Sequence, residues 1–247
     1  MSSAAEVIEI AKAEAGYLEK ATNEQLSDKT ANAGSGNYTK YAHDLDNIPG
    51  FYNGRKNGYP WCDVFVDWCF YKAFGVDEAK RLLCHGTSGA GCTYSAGYFA
   101  AAGQFYSSPK PGDQIFFGTG LSYCYHCALV YDVDDTYVYT IEGNTSSAAG
   151  VVPNGGGVYM KSYRLTHSSI VGYGRPLYNE SEDVMTGKEI YEALMEYTAT
   201  LQLPDDLKEE YSEAVSLGIT DGERPMQPAL RAQAAIMVKR ALENKEN

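Results

Sequence analysis

The 247-residue sequence lacks several features that would place it in a familiar class at once. It has no run of about 18 apolar residues, so we expect no membrane-spanning helix and no membrane partner. Basic residues are outnumbered, 20 against 32 acidic ones, and the net charge of −12 argues against nucleic acid as a partner. Residues 1–20 lack a basic stretch followed by an apolar core, so we expect no signal peptide and synthesis in the cytoplasm.

The acidity that is present is unevenly distributed and marks a change in organisation. Residues 177–247 contain 15 acidic and 7 basic residues, whereas the preceding 176 residues contain 17 and 13. A polar linker is predicted at 179–185, and apolar residues then recur at helical spacing. We therefore predict a main domain over 1–178 and a C-terminal module of three helices over 186–247. The three predicted helices cover 186–201, 204–217 and 228–242.

Within the main domain, helical patterns come first and strand patterns follow. Helices are predicted at about 4–16, 62–74, 76–83 and 95–102, with a further short one near 19–28. Strands are predicted at 114–117, 126–131, 136–142, 158–163 and 169–175. Residues 132–135 are predicted to form a hairpin turn that pairs Tyr131 near Thr136 and brings position 126 close to 141–142. Helices followed by an antiparallel sheet indicate an α+β fold.

Cys62 is the most informative single residue, because it begins a dense apolar and aromatic run directly after the turn residues 57–60. A cysteine in the first turn of a helix lies beside unpaired backbone N–H groups and the positive end of the helix dipole, which favour the thiolate. The thiolate is the nucleophilic form. Cys69, seven residues further on, is predicted to be a core residue.

Three residues downstream complete a candidate catalytic set with Cys62. His126 opens one predicted strand, and Glu142 and Asn144 close the next. Cysteine hydrolases use a thiolate, a histidine that transfers the proton, and a polar group that orients the imidazole. We predict that His126 is the general base and acid and that Glu142 orients it, with Asn144 as an additional polar residue. Each residue taken singly has a structural explanation; their order and spacing favour catalysis.

Six cysteines leave more than one reading open: Cys62, Cys69, Cys84, Cys92, Cys124 and Cys127. Without a secretion signal, reduced thiols are expected. The Cys124-x-x-Cys127 spacing, with Cys84 and Cys92 upstream, is also compatible with a four-thiolate zinc site. Core thiols or a local disulfide fit this spacing better, so the prediction is that no metal or other cofactor is required.

The motif around these residues resembles a known family. Tyr59-Pro-Trp-Cys62-Asp-Val-Phe-Val-Asp-Trp-Cys69, Pro111-Gly-Asp-Gln-Ile-Phe-Phe117 before His126, and Ile141-Glu-Gly-Asn-Thr145 are similar to the CHAP domain, the cysteine, histidine-dependent amidohydrolase/peptidase. The resemblance covers roughly residues 4–178. It implies a papain-like fold and peptidoglycan cleavage at an amide bond, with Cys62 as nucleophile and its N–H in the oxyanion hole. Tyr59 and Trp61 are expected to contact substrate.

Some relatives in that family bind calcium in the loop before the nucleophile. Residues 53–57 here are basic and carry no carboxylate, so calcium is not expected there. Asp44 and Asp46 offer better oxygen ligands, although a solvated loop explains them as well.

The C-terminal module resembles half of a surface-layer homology repeat over residues 214–235. This resemblance implies wall targeting or self-association, while a packing module that stabilises the enzyme is the alternative. Met185, just before the predicted helix cap at Thr186, could serve as an internal start that yields the module alone. The whole pattern resembles a phage or prophage endolysin that acts on the cell wall after release from its host. A non-catalytic wall-binding protein, or a bacterial autolysin or effector, is the alternative.

Overall fold

The computed structural model describes residues 2–86, 90–179, 194–198, 202–220 and 237–238. Its contacts divide the chain into two compact units, residues 1–180 and residues 181–247. Among the described residues, no helix has the length and apolar character needed to cross a bilayer.

The first unit begins with helices and continues with one sheet, as the α+β prediction requires. Its helices are α1 (Ala4–Ala13), α2 (Lys40–Asp46), α3 (Cys62–Phe74), α4 (Val76–Leu82) and α5 (Cys92–Ala101). Its strands are β1 (Phe105–Tyr106), β2 (Gln114–Gly120), β3 (Tyr123–Val133), β4 (Tyr137–Thr145), β5 (Gly157–Arg164) and β6 (Ile170–Gly174). They form an antiparallel sheet in the order β1-β6-β2-β3-β4-β5.

Helix α3 is the centre of the main core. Every residue from Cys62 to Phe70 is buried, and the helix packs against α1, α2, α4, α5 and the central strands β3 and β4. A helix that is apolar on all sides can be stable only when neighbours surround it. Successive side chains on each strand point to opposite faces of the sheet. Cys127, Leu129 and Ile141 join the helices, whereas Ala128 and Val130 join a smaller cluster on the other face.

The four helices predicted at 4–16, 62–74, 76–83 and 95–102 are present, with shifts of up to three residues at their ends. α3 has the predicted bounds, and α4 and α1 end one and about three residues earlier than predicted. The helix near 19–28 is wrong, because this segment forms turns and isolated bridges from Leu18 and Lys20. α2 was not predicted, although Thr39 caps it by accepting a hydrogen bond from the Ala42 N–H at 3.1 Å.

Strand positions were predicted better than strand ends. β3 and β4 extend beyond their predicted limits, so His126 is the fourth residue of β3, and Glu142 and Asn144 lie within β4. The predicted turn at 132–135 is shifted, because the Asp134 carboxylate accepts hydrogen bonds from the N–H groups of Thr136 and Tyr137, both at 2.7 Å. The predicted pairing of Tyr131 near Thr136 is therefore wrong.

The observed register pairs Leu129 with Ile141, with an irregularity between Val130 and Asp132. Position 126 thus lies about three residues further along β4 than the predicted turn implies.

The described part of the second unit is helical. Residues 194–198 are helical, and a 3₁₀ turn (Asp205–Leu207) leads into α6 (Lys208–Ser216). α6 lies within the predicted helix 204–217, and Gly218 follows it with a positive φ of 66°. Thr186, Met185 and most of the predicted helix 228–242 lie outside the described residues. The predicted domain limits and the wall-binding role remain predictions.

Candidate active site

Cys62 is the first residue of α3, where the sequence predicted it. Trp61 is at the N-cap position, but its side chain makes no capping hydrogen bond, so the N–H groups of the first turn remain able to donate. The pKa of the Cys62 thiol is held well below its usual range, by interactions with the Cys127 and Cys92 side chains first and with His126 after them, against the opposing effect of burial. A thiolate is therefore the favoured form of Cys62.

His126 and Glu142 form a fully buried pair. Nε2 of His126 lies 3.0 Å from Oε2 of Glu142, and neither side chain is exposed to solvent. The other carboxylate oxygen of Glu142 accepts a hydrogen bond from the Thr140 hydroxyl at 2.7 Å. Phe117 stacks beside the imidazole with 6.0 Å between ring centroids. The ring is thus fixed on both its edge and its face, with Nδ1 left free of any hydrogen-bond partner.

Charge stabilises the protonated imidazole. Burial by itself would lower the pKa of His126, but the Cys62 thiolate and the Glu142 carboxylate outweigh it and raise that pKa to about 9. Cys62 and His126 are close enough to shift each other's pKa in opposite directions, down for the thiol and up for the imidazole. This arrangement corresponds to a thiolate–imidazolium pair, the resting form of a cysteine hydrolase site.

Two further cysteines lie against Cys62. The sulfurs of Cys62, Cys92 and Cys127 are all within 4.8 Å of one another, and Cys62 Sγ to Cys92 Sγ is 3.5 Å. Cys92 is the first residue of α5, so two helix N-termini meet at these thiols. Cys84 and Cys124, which the sequence grouped with them as zinc-ligand candidates, are not part of this cluster. The structure records all six cysteines as free.

Asp63 connects the elements that hold the three thiols. Its carboxylate accepts hydrogen bonds from Gly91 N–H at 2.7 Å, Ser95 Oγ at 2.8 Å and Gln114 Nε2 at 2.9 Å. The Cys127 thiol lies 3.4 Å from the same carboxylate. Burial, with the charges of Asp67 and Cys62, raises the pKa of Asp63 to about 7. One side chain therefore joins α3, the start of α5, β2 and β3 beside the nucleophile.

Asn144 has a different environment from the other three predicted catalytic residues. It adopts a positive φ of 55° where the β4–β5 pairing is irregular, and its side-chain N–H donates to the Pro153 carbonyl at 3.3 Å. The backbone carbonyl accepts from Gly155 N–H at 2.8 Å. Its buried Oδ1 has no hydrogen-bond partner. These contacts describe a residue that closes a loop, and its catalytic role remains a prediction.

A cleft of about 510 Å³ opens at the nucleophile. Tyr59, which is 62% exposed, and Tyr125 lie on its wall with the basic residues Arg55 and Lys56. Tyr59 is thus exposed at the cleft, and its contact with substrate stays a prediction. Trp61 is fully buried and donates its indole N–H to Glu19 Oε2 at 2.9 Å, so its ring is part of the core and supplies no surface to the cleft.

The two carboxylates considered for calcium have protein partners. Asp46 accepts hydrogen bonds from the N–H groups of Lys56 and Asn57 at 2.7 and 3.0 Å, which fixes the loop before Cys62. Asp44 accepts the indole N–H of Trp68 at 2.9 Å. Both residues therefore have a structural role, and the expectation about calcium stays a prediction.

The sequence-based reasoning did not find Asp63 or Thr140 as site residues, and it considered Cys92 and Cys127 as zinc-ligand candidates but not as neighbours of Cys62. Asp63 carried a signal, because a carboxylate directly after the nucleophile interrupts an otherwise apolar run. Cys92 was missed because α5 was predicted to begin at residue 95, three residues too late. No local pattern indicates that Cys127 faces Cys62, since this depends on the packing of α3 against β3.

Comparison with known families agrees with this geometry. A family model described as the CHAP domain matches residues 54–144. No curated protein and no solved structure gives a significant match. The CHAP match indicates, in general terms, a cysteine amidohydrolase or peptidase with peptidoglycan as its substrate. It supports a CHAP-domain protein whose matched segment contains Cys62, His126 and Glu142.

Proposed function

We propose that this protein cleaves an amide bond of peptidoglycan by nucleophilic catalysis from Cys62. The observation that carries the proposal is the coupled pair in which Cys62 has a lowered pKa and His126 a raised one, with Glu142 3.0 Å from the imidazole. A lowered thiol pKa beside a raised imidazole pKa is typical of a catalytic cysteine–histidine pair. The CHAP match over the same residues supplies the substrate class.

Each group has a role in the proposed reaction. The Cys62 thiolate attacks the amide carbonyl, and the oxyanion that forms is stabilised by N–H groups at the start of α3. The His126 imidazolium gives its proton to the leaving amine, then takes a proton from water so that hydroxide attacks the thioester. Glu142 stays ionised and keeps the ring in one orientation.

The cleft supports a substrate that has both polar and anionic groups. Tyr59 and Tyr125 offer flat surfaces against which a sugar or a peptide can pack, and Arg55 is exposed at the same wall. Arginine binds carboxylates through paired hydrogen bonds, and the stem peptides of peptidoglycan carry carboxylates. We therefore propose a stem-peptide segment as the part of the substrate that lies in this cleft.

Two reactions fit this chemistry, an N-acetylmuramoyl-L-alanine amidase and an endopeptidase of the stem or cross-bridge. A role as a phage-type endolysin, wall targeting or self-association through the C-terminal module, and separate translation from Met185 belong to the same proposal. Mass spectrometry of material expressed from the native gene tests the last point. Absence of a fragment that begins at Met185 or Thr186 would end it.

The decisive experiment digests defined peptidoglycan with wild-type protein, with Cys62→Ala and with Cys84→Ser as the matched control. Cys84 lies outside the thiol cluster, so its replacement is expected to leave product formation in place. Mass analysis should show new amine and carboxyl ends with wild type and Cys84→Ser only. New amino groups on L-alanine, next to free lactyl carboxyls, identify the amidase; other termini identify the endopeptidase. Full activity in Cys62→Ala would refute the mechanism.

A further inference from the structure

The thiol cluster beside the nucleophile contains more ligand atoms than hydrolysis requires. Catalysis uses one sulfur, but Cys62, Cys92 and Cys127 bring three sulfurs within 4.8 Å of one another in a buried place. They come from three elements, α3, α5 and β3, so their convergence is a feature of the tertiary fold. The sequence spacing had suggested a different set of cysteines.

The spacing of the sulfurs is close to that of a tetrahedral zinc site. Zinc–sulfur bonds of about 2.3 Å at tetrahedral angles place ligand sulfurs about 3.8 Å apart. Cys62 Sγ and Cys92 Sγ are 3.5 Å apart, and the widest separation in the cluster is at most 4.8 Å. A contraction of about 1 Å or less at each of the two pairs that include Cys127 would therefore place the three sulfurs at three corners of the tetrahedron.

The surroundings also correspond to those of a zinc site. Gln114 donates its side-chain N–H to Cys127 Sγ at 3.3 Å, a contact that would stabilise a ligating thiolate. Cysteine thiolates are the main ligands of structural zinc sites. His126 is not among the ligand atoms that lie within 4.8 Å of one another, so the cluster supplies three protein ligands.

We propose that Cys62, Cys92 and Cys127 form an inhibitory site for a thiophilic divalent cation of the zinc class. The ion reaches the site through the cleft, whose wall includes Cys62 and Cys92. Bound metal occupies the nucleophilic sulfur, so the metal-bound and hydrolytic states exclude each other. The inhibition, though not the binding, rests on the proposed hydrolase function. Removal of the metal by a chelator restores the free thiolate.

The binding test uses the full-length, metal-free, reduced protein and ZnCl₂ alone, followed by isothermal titration calorimetry. Wild type and Cys84→Ser are expected to bind one ion with the same affinity. Cys127→Ser and Cys92→Ser should each bind at least about 100-fold more weakly, because loss of even an outer partner of a ligand costs 10–100-fold. Co²⁺ provides a second readout, since thiolate-to-metal charge-transfer absorption should appear in wild type and diminish in both variants.

Circular dichroism of each variant shows whether it folds, and hydrolysis is measured separately with and without zinc. The proposal is overturned if wild type does not bind zinc, or if Cys127→Ser and Cys92→Ser bind it as tightly as Cys84→Ser. If wild type binds zinc but the metal-free protein shows no hydrolysis, the proposed function is refuted and the metal site is still supported. If stoichiometric zinc does not reduce the rate of hydrolysis, the inhibitory site is refuted and the hydrolase function is still supported.

Discussion

The nucleophile and its histidine are supported in two different ways. On the thiol side, Cys62 lies among helix N-termini, two other thiols and the many-partnered carboxylate of Asp63. On the imidazole side, His126 contacts Glu142 and stacks on Phe117, while Glu142 interacts with Thr140 and Tyr163, all on neighbouring strands of the sheet. The thiol side spreads its contacts over several elements, whereas the imidazole side depends on few.

This difference teaches where the site is sensitive to change. The hydrogen bonds from His126 to Glu142 and from Thr140 to Glu142 both influence the orientation of the ring, so a change in either should affect it. On the thiol side, a change in the four donors around the Asp63 carboxylate should lower the stability of the fold. Cys62 should keep its place at the start of α3, because many other contacts hold that helix. The predictions that follow test this contrast, in order of decreasing expected effect.

Glu142→Gln should produce the largest loss among the supporting residues. A neutral amide cannot stabilise the imidazolium, and it can present its NH₂ group to Nε2, which would favour the wrong tautomer. We expect kcat to fall by about 10²–10⁴-fold, the usual contribution of general acid–base catalysis. Rates of product release from defined peptidoglycan measure it. A fall of less than about threefold would show that the imidazole side does not depend on this carboxylate.

Thr140→Val should have an intermediate effect. The substitution removes the 2.7 Å hydrogen bond to Glu142 Oε1 and preserves the shape of the side chain. A hydrogen bond to a charged group is worth about 1.5–3 kcal/mol, so we expect kcat to fall by roughly tenfold or more with little change in KM. Thr136→Val, at the exposed hairpin turn, is the matched control and should leave both constants in place.

Asp63→Asn should affect stability more than chemistry. An amide offers one acceptor oxygen where the carboxylate offers two, and its NH₂ group would face donors. An unsatisfied buried group costs about 1–3 kcal/mol, so urea unfolding should show a loss of at least this size. Ser95→Ala removes one donor and leaves the others, and we expect a loss of about 1 kcal/mol. Equal unfolding free energies for Asp63→Asn and wild type would contradict the network described.

The smallest effects are expected in the pH dependence of kcat/KM, which should distinguish the thiol side from the imidazole side. Activity needs thiolate and imidazolium together. Since the pKa of His126 is raised to about 9, metal-free wild type should lose activity as the pH rises through about 9. Cys62 has a lowered pKa, so the acid limb should lie well below the usual range of a thiol. Cys127→Ser should move the acid limb of the pH profile. Glu142→Gln should move the alkaline limb to lower pH. If both variants moved the same limb, the contrast between the thiol side and the imidazole side would be contradicted.

Sequence patterns predicted the parts of this molecule that local chemistry controls. The apolar run after Cys62 predicted α3 with its observed bounds, and alternating residues located β2 to β6. Turn geometry was harder, because the Asp134 side chain decides which residues form the turn after β3. The helix near 19–28 failed for a related reason. Lys20 in that segment bridges to Ala33 and Tyr38, and helical spacing within the segment carried no information on these partners.

The sequence by itself determined the α+β class, the cysteine at a helix start and the placement of a histidine and an acid on neighbouring strands, but not the register between those strands. These features follow from periodicity, from turn residues and from the order of a motif, all of which are local. Only the tertiary structure decided that Cys92 and Cys127 meet Cys62, that Asp63 joins four elements and that Trp61 is in the core. Side chains from distant segments come together when helices pack on a sheet, and no spacing along the chain encodes that contact.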